Sequence, residues 1–156
     1  MKEIHIPGFG NIELEHLVLD YNGTLAVDGK VIDGVRDRLK KLSRDLKVHV
    51  LTADTFGTVV SEFEGYDIEI KVMDSDDSAI HKRKVVETLG DRNSVCIGNG
   101  YNDIEMMKVA GLSLGIMQKE GMSGKLIFYS DIVYNNIIDA LDSLNNVNRI
   151  RASLRG

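Results

Sequence analysis

Apolar residues recur along this chain with two alternating periods. Short apolar runs bounded by Gly, Asn and Asp read as buried strands at 16–20, 48–52, 67–73, 94–97 and 112–116, with a brief strand-like pair at Ile132-Val133. Between them the period changes. Val35, Leu39 and Leu42 fall at helical spacing, with Arg36, Arg38, Lys40 and Lys41 on the other faces, and 55–63, 78–89, 104–109 and 137–144 read as further helices. Asp74, Asp76 and Asp77 precede 78–89, where negative charge complements a helix N-terminus. The start of the chain is different. Ile4-His5-Ile6 and Ile12-Glu13-Leu14 flank Pro7-Gly8-Phe9-Gly10-Asn11, the pattern of a β-hairpin, and Asp28-Gly29 marks a second turn.

Strands alternating with helices predict an α/β fold built on a doubly wound, mostly parallel sheet. With no Pro/Ser-rich linker, repeat or low-complexity stretch, 1–156 reads as a single domain. Within it, 1–15 form the hairpin and 145–156 form a basic C-terminal tail. Arg149, Arg151 and Arg155 in that tail read as a solvated helix end and a frayed terminus.

Composition narrows the class. At 156 residues, 43% hydrophobic and 28% charged, the chain matches a soluble globular domain with a real core. No apolar run approaches the length of a membrane span, and the first residues contain no signal-peptide core, which points to the cytoplasm. A net charge of −5 makes nucleic acid a poor partner. The lone cysteine, Cys96, lies in a strand-like run and reads as a buried structural thiol. His5, His16, His49 and His81 lack metal-ligand spacing and read as surface or edge residues.

Three places carry candidate chemistry. Asp20-Tyr21-Asn22-Gly23-Thr24-Leu25 begins where the first buried strand ends, the usual position of a site in an open α/β sheet. Asp20 can act as nucleophile or metal ligand, Gly23 permits a tight turn, and Thr24 offers a hydroxyl and an N–H to an anion. Thr52 and Ala53 end the second strand in the same manner. Lys82 sits early in a helix, where a cation is unfavourable unless it faces an anion. Finally, Gly98-Asn99-Gly100-Tyr101-Asn102-Asp103 joins a strand to a helix. It lacks the third glycine of a dinucleotide fingerprint, and its two amides and one acid suit a hard cation. Asp74-Ser75-Asp76-Asp77 is no calcium loop, because Val85 stands where the bidentate Glu belongs.

The order Asp20, Thr52, Lys82, Asp103, each at or near a strand end, resembles the haloacid dehalogenase (HAD) superfamily of phosphohydrolases. Ala110-Gly111-Leu112-Ser113-Leu114-Gly115-Ile116 fits as well. The likeness covers nearly all of the chain beyond Glu15 and is nearest in flavour to the "soluble P-type ATPase" group. It implies a Rossmann-like HAD core, catalysis by Asp20 through an aspartyl phosphate with Asn22, Thr52 and Lys82, and phosphate binding by Gly23, Thr24, Thr52, Ala53 and Lys82. It also implies Mg²⁺ held by Asp20, the Asn22 carbonyl, Asn99 and Asp103. The substrate it implies is a phosphorylated small molecule or phosphoprotein, and the assembly a homo-oligomer. The spacings from Thr24 to Thr52 and from Thr52 to Lys82 leave no room for a cap domain.

Two positions depart from the family pattern. Asn22 stands where most relatives carry the Asp that protonates the leaving group, and Asn99 stands where a carboxylate usually binds the metal. These predict slow turnover and a preference for good leaving groups. They also keep two other readings open: a degenerate HAD domain that binds phosphate, metal or a protein without turnover, and a tetrameric capless sugar-phosphate phosphatase.

Overall fold

The computed structural model describes residues 1–54, 57–73 and 76–156. Its centre is a six-stranded sheet in the order β10-β9-β8-β3-β6-β7, with every neighbouring pair parallel. The strands are β3 (His16–Asp20), β6 (Lys47–Thr52), β7 (Ile68–Val72), β8 (Ser94–Gly98), β9 (Leu112–Ile116) and β10 (Ile132–Tyr134). Ahead of them β1 (Lys2–Ile6) and β2 (Gly10–Leu14) pair antiparallel, as their alternation predicts. A small ribbon of β4 (Ala26–Val27) and β5 (Lys30–Val31) turns through Asp28 and Gly29, both at positive φ.

The helices cover both faces of the sheet. The pattern that puts them there is visible in β3, where successive residues point to opposite faces. Leu17 and Leu19 pack with Val35, Leu39 and Leu42 of α1 (Val35–Leu42) and with α5 (Ile137–Asn145). Val18 points the other way, toward Cys96, Val86 of α3 (Ser78–Leu89) and Met107 of α4 (Ile104–Met107). All five β3 residues are buried, so the strand shows a continuous apolar run rather than an alternating one. Truncating a side chain such as Leu19 in this layer costs about 2–5 kcal/mol.

The chain moves outward from β3 to β6 and β7, then returns to β8 on the other side. That reversal opens a crevice at the carboxyl ends of β3 and β8. Helix α3 makes the return crossing, and the 78–89 expectation matches it. The helix expected at 55–63 is shorter, α2 (Thr58–Glu62), and its first two expected residues lie outside the described ones, as does Asp74 before α3. The helix expected at 104–109 enters instead through a tight 3₁₀ turn, Tyr101–Asp103.

Two expectations need correction. The basic tail is not frayed: α6 (Asn148–Leu154) buries Ile150, and Arg151 Nε donates to the His5 carbonyl at 2.8 Å. The Gly156 N–H donates to the Pro7 carbonyl at 2.9 Å, so the hairpin and the chain end brace each other. The sequence hides this because α6 has few apolar residues, and tertiary contact rather than propensity orders it.

The second correction concerns His16 and His49, which are buried, not at the surface. His16 Nδ1 lies 3.0 Å from His49 Nε2 across the β3–β6 pair, and a Glu69 oxygen lies 2.7 Å from His49 Nδ1. Burial holds both imidazoles below their ordinary pKa; Lys47 adds to the effect at His16, and Glu69 opposes it at His49. The native pair therefore resists protons that the unfolded chain accepts near its ordinary value of about 6.5. Stability from the pair is complete above that value and is lost as pH falls through it toward the native values. Thermal unfolding between about pH 8 and about pH 5 should show this as a slope of up to about 1.4 kcal/mol per pH unit for each proton, read as the difference from a variant without the pair because the raised Asp20 carboxyl contributes an opposite slope. A His16→Asn, His49→Gln double variant should lose that slope; an unchanged slope would assign it to other groups.

Candidate active site

The residues singled out from sequence converge on the carboxyl edge of the sheet. Asp20 is the last residue of β3, Thr52 the last of β6, and the 98–103 turn follows β8. Asp20, Asn22, Thr52, Ala53, Lys82 and Asn99 all line one pocket of about 190 Å³. Gly23, Thr24 and Asp103 stand behind that wall and shape it.

Lys82 lies at the centre. Its ammonium contacts Asp20 Oδ1 and Asp103 Oδ1, each at 2.7 Å, and only 2% of the residue is exposed. This answers the question raised by a cation early in a helix, because it faces two anions. Burial works against the charge of Lys82, but the carboxylates of Asp103 and Asp20 outweigh it and hold the ammonium above its usual pKa. The Asp20 carboxyl moves upward, to about 7, because of burial first and the neighbouring Asp103 charge second, with Lys82 and Thr24 opposing.

Asp103 carries no exposed surface. Its Oδ2 accepts the N–H groups of Asn99 (3.1 Å) and Gly100 (2.9 Å), while Oδ1 takes Lys82. Both oxygens are engaged, and through them Asp103 orders the turn and the lysine. The fit is close: a Cβ on Gly98 would lie 2.4 Å from Asp103 Oδ2.

Thr24 also differs in role from the sequence expectation. Its N–H donates to the Tyr21 carbonyl at 3.2 Å and is not turned to an anion. Its hydroxyl is 3.2 Å from both Asp20 Oδ2 and Asn99 Oδ1. One hydroxyl has one proton, so these two acceptors compete for it. Gly23 is at φ +77°, and any Cβ there would strike the Asn99 side chain. Thr52 Oγ1 accepts the Asp54 N–H at 3.0 Å, which leaves the hydroxyl proton for donation.

One residue of the site was invisible from sequence. Gln118, just past β9, donates from Nε2 to the carbonyls of Gly23 (3.0 Å) and Thr24 (2.8 Å) and accepts the Ile137 N–H at Oε1 (3.0 Å). No local motif marks it, because its partners are remote in the chain.

A cation has a restricted but suitable donor set. Asp20 Oδ2 and Asn99 Oδ1 converge on the Thr24 hydroxyl and are short of donors, and both are hard oxygens of the kind Mg²⁺ prefers. Among the described residues no group of three His, Cys, Asp or Glu gathers as a metal cluster. A metal here would be held by the Asp20 carboxylate together with neutral oxygens such as Asn99 Oδ1.

Comparison with known proteins agrees with this architecture. No family model matches the chain. It is 42% identical over 80 residues to the uncharacterised protein MJ0073 of Methanocaldococcus jannaschii, spanning 49% of this chain and 86% of that protein, and it belongs to the same family. MJ0072 of the same organism, also uncharacterised, is 46% identical over 39 residues, 25% of this chain and 89% of that protein. Among solved structures, a candidate HAD-superfamily hydrolase of subfamily III A from Legionella pneumophila superposes with TM-score 0.67 at 18% identity, covering 90% of this chain and 87% of that one. The 3-deoxy-D-manno-octulosonate 8-phosphate phosphatase of Moraxella catarrhalis, solved with magnesium, phosphate and KDO, gives 0.68 at 17% identity over 91% and 94%. A candidate enzyme of that name from Vibrio cholerae gives 0.71 at 14% identity over 100% and 99%. The chain thus shares the fold of these HAD-superfamily structures over nearly its whole length.

Replacing Lys82 by Met would leave Asp20 and Asp103 facing each other without their cation. The expected loss is about 3–5 kcal/mol near neutral pH. The loss should shrink on acidification, because a carboxyl whose native pKa is raised binds its proton first in the folded state. Urea titrations at about pH 8 and about pH 5.5 measure this, and a cost independent of pH would mean that Lys82 acts only by packing.

Proposed function

We propose that this protein is a Mg²⁺-dependent phosphohydrolase that uses Asp20 as nucleophile toward a phosphorylated small molecule. The observation that carries the reading is the buried Lys82 bridge between Asp20 and Asp103 at the crevice of a HAD fold. In-line attack forms a bond from the Asp20 carboxylate to phosphorus and breaks the bond to the leaving oxygen; water then hydrolyses the aspartyl phosphate.

The chain's own groups divide the work. Lys82 directs two of its three protons to carboxylates and the third to Asn102 Oδ1 over a long 3.5 Å between Nζ and oxygen, a weak bond that a phosphoryl oxygen would displace. Thr52, which lines the same pocket, donates its hydroxyl proton to a second such oxygen. Thr24 fixes the rotamer of Asp20. Asp20, the Asn22 main-chain carbonyl and Asn99 Oδ1 would hold Mg²⁺, which when bound neutralises phosphoryl charge. Asn22 is exposed at the rim, and its amide has no proton to give a leaving oxygen at neutral pH. Turnover is therefore slow, and acyl or aryl phosphates are better substrates than alkyl ones.

The structural neighbours named as sugar-acid phosphate phosphatases support a phosphorylated small molecule as substrate, and a homo-oligomer is consistent with an uncapped site. The amides at 22 and 99 favour one competing reading, a domain that binds phosphate or a partner without turnover.

Hydrolysis of p-nitrophenyl phosphate and acetyl phosphate with Mg²⁺ separates the two. Activity should vanish with EDTA and in Asp20→Asn, and Asn22→Asp should raise turnover toward the roughly 10²–10⁴-fold that a placed acid–base supplies. Equal rates in native and Asp20→Asn protein would favour the binding domain. No gain in Asn22→Asp would remove Asn22 as the cause of slowness.

A further inference from the structure

We infer that Gln118 is a positioning residue for the reaction, holding the nucleophile loop through the carbonyls of Gly23 and Thr24; the inference rests on the phosphatase reading of the site. Gln118 uses its amide in two directions. Nε2 spends both protons on the Gly23 and Thr24 carbonyls, at 3.0 and 2.8 Å, and Oε1 accepts the Ile137 N–H at 3.0 Å. Gly23 and Thr24 are buried, so each carbonyl deprived of Gln118 loses a partner that water does not readily replace.

The chain of contacts leads to the reacting carboxylate. Helix α5 begins at Ile137 and packs its Ile137, Leu141 and Leu144 into the core, which makes it a rigid anchor. Gln118 ties that anchor to the peptide of Thr24. The Thr24 hydroxyl in turn sits 3.2 Å from Asp20 Oδ2 and from Asn99 Oδ1. A shift of the loop therefore moves the hydrogen bond that sets the nucleophile and the amide oxygen beside it together. Misplacement of a reacting group by about 1 Å costs on the order of 10²-fold in rate. Main-chain bonds close the turn from within, the Gly23 N–H donating to the Ala26 carbonyl at 2.9 Å, and Gln118 is the side chain that fixes this turn relative to α5.

A variant at Gln118 and a destabilising variant remote from the loop separate positioning from plain stability. In Gln118→Glu the side chain still accepts from Ile137 but meets the two carbonyls with negative charge. Ile150→Ala, in the buried face of α6 and with no bond to the loop, lowers stability without touching the tie. Steady-state hydrolysis of p-nitrophenyl phosphate with Mg²⁺, thermal unfolding, and binding of trifluoroberyllate (a mimic of the acyl phosphate on Asp20) are measured for both variants and the native chain. The expected result is a fall in kcat of about tenfold to a hundredfold in Gln118→Glu. Its KM should stay within about threefold, and trifluoroberyllate should bind more weakly. Ile150→Ala should keep kcat within about threefold even though its Tm is lowered by the lost core packing.

If kcat instead follows Tm across both variants, or neither variant changes kcat, Gln118 is only a structural brace and the inference is overturned. An inactive native protein that also fails to bind trifluoroberyllate overturns the phosphatase reading itself, a result distinct from the other two.

Discussion

Two buried carboxylates that would repel each other are held side by side by the ammonium of Lys82. Three separate stretches of chain meet at that contact: the end of β3, the second turn of α3, and the turn after β8. A buried ion triad of this kind is poor evidence for stability, because desolvation of the charges consumes much of what their attraction returns. Its value lies in geometry. Lys82 fixes Asp103, Asp103 fixes the main chain of Asn99 and Gly100, and Asn99 shares the Thr24 hydroxyl with Asp20. The site is a closed circuit of polar contacts in which each member is located by the one before it.

The strand ends and the residues on them were legible because β3, β6 and β8 are buried on both faces. Such strands must be apolar to their last turn, so the first polar residue after each run marks a site position. Asp20, Thr52 and the 98–103 turn stood out for that reason. The partners of those residues were not legible. That Asp103 caps two N–H groups, or that the Thr24 N–H is spent on Tyr21, depends on how a turn closes, which a residue's type does not specify. Contacts between distant segments were hidden altogether: Gln118 with Thr24, His16 with His49, and Arg151 with the hairpin.

The asparagine at 99 is better integrated than a simple loss of a metal ligand suggests. Its Oδ1 accepts from Thr24 while its Nδ2 donates to the Gly121 carbonyl at 3.2 Å. The Ser123 N–H donates to its main-chain carbonyl at 2.8 Å. A carboxylate at this position has no proton for Gly121 and brings a third negative charge to a neighbourhood organised around Lys82. The amide thus supplies a link between the β8 turn and the segment after β9 that a carboxylate could not make.

Cys96 gives the molecule an internal reporter. It is the sole cysteine, it lies at the middle of β8, and it is fully buried, with its thiol pushed well above the usual pKa by that burial and secondarily by Asp103. A thiol in this state is inert toward alkylating reagents. Labelling at this sulfur therefore registers moments when β8 is exposed, and those same moments dismantle the turn that carries Asn99 and Asp103. The rate of alkylation becomes a clock for the opening of the sheet's carboxyl edge, readable by mass.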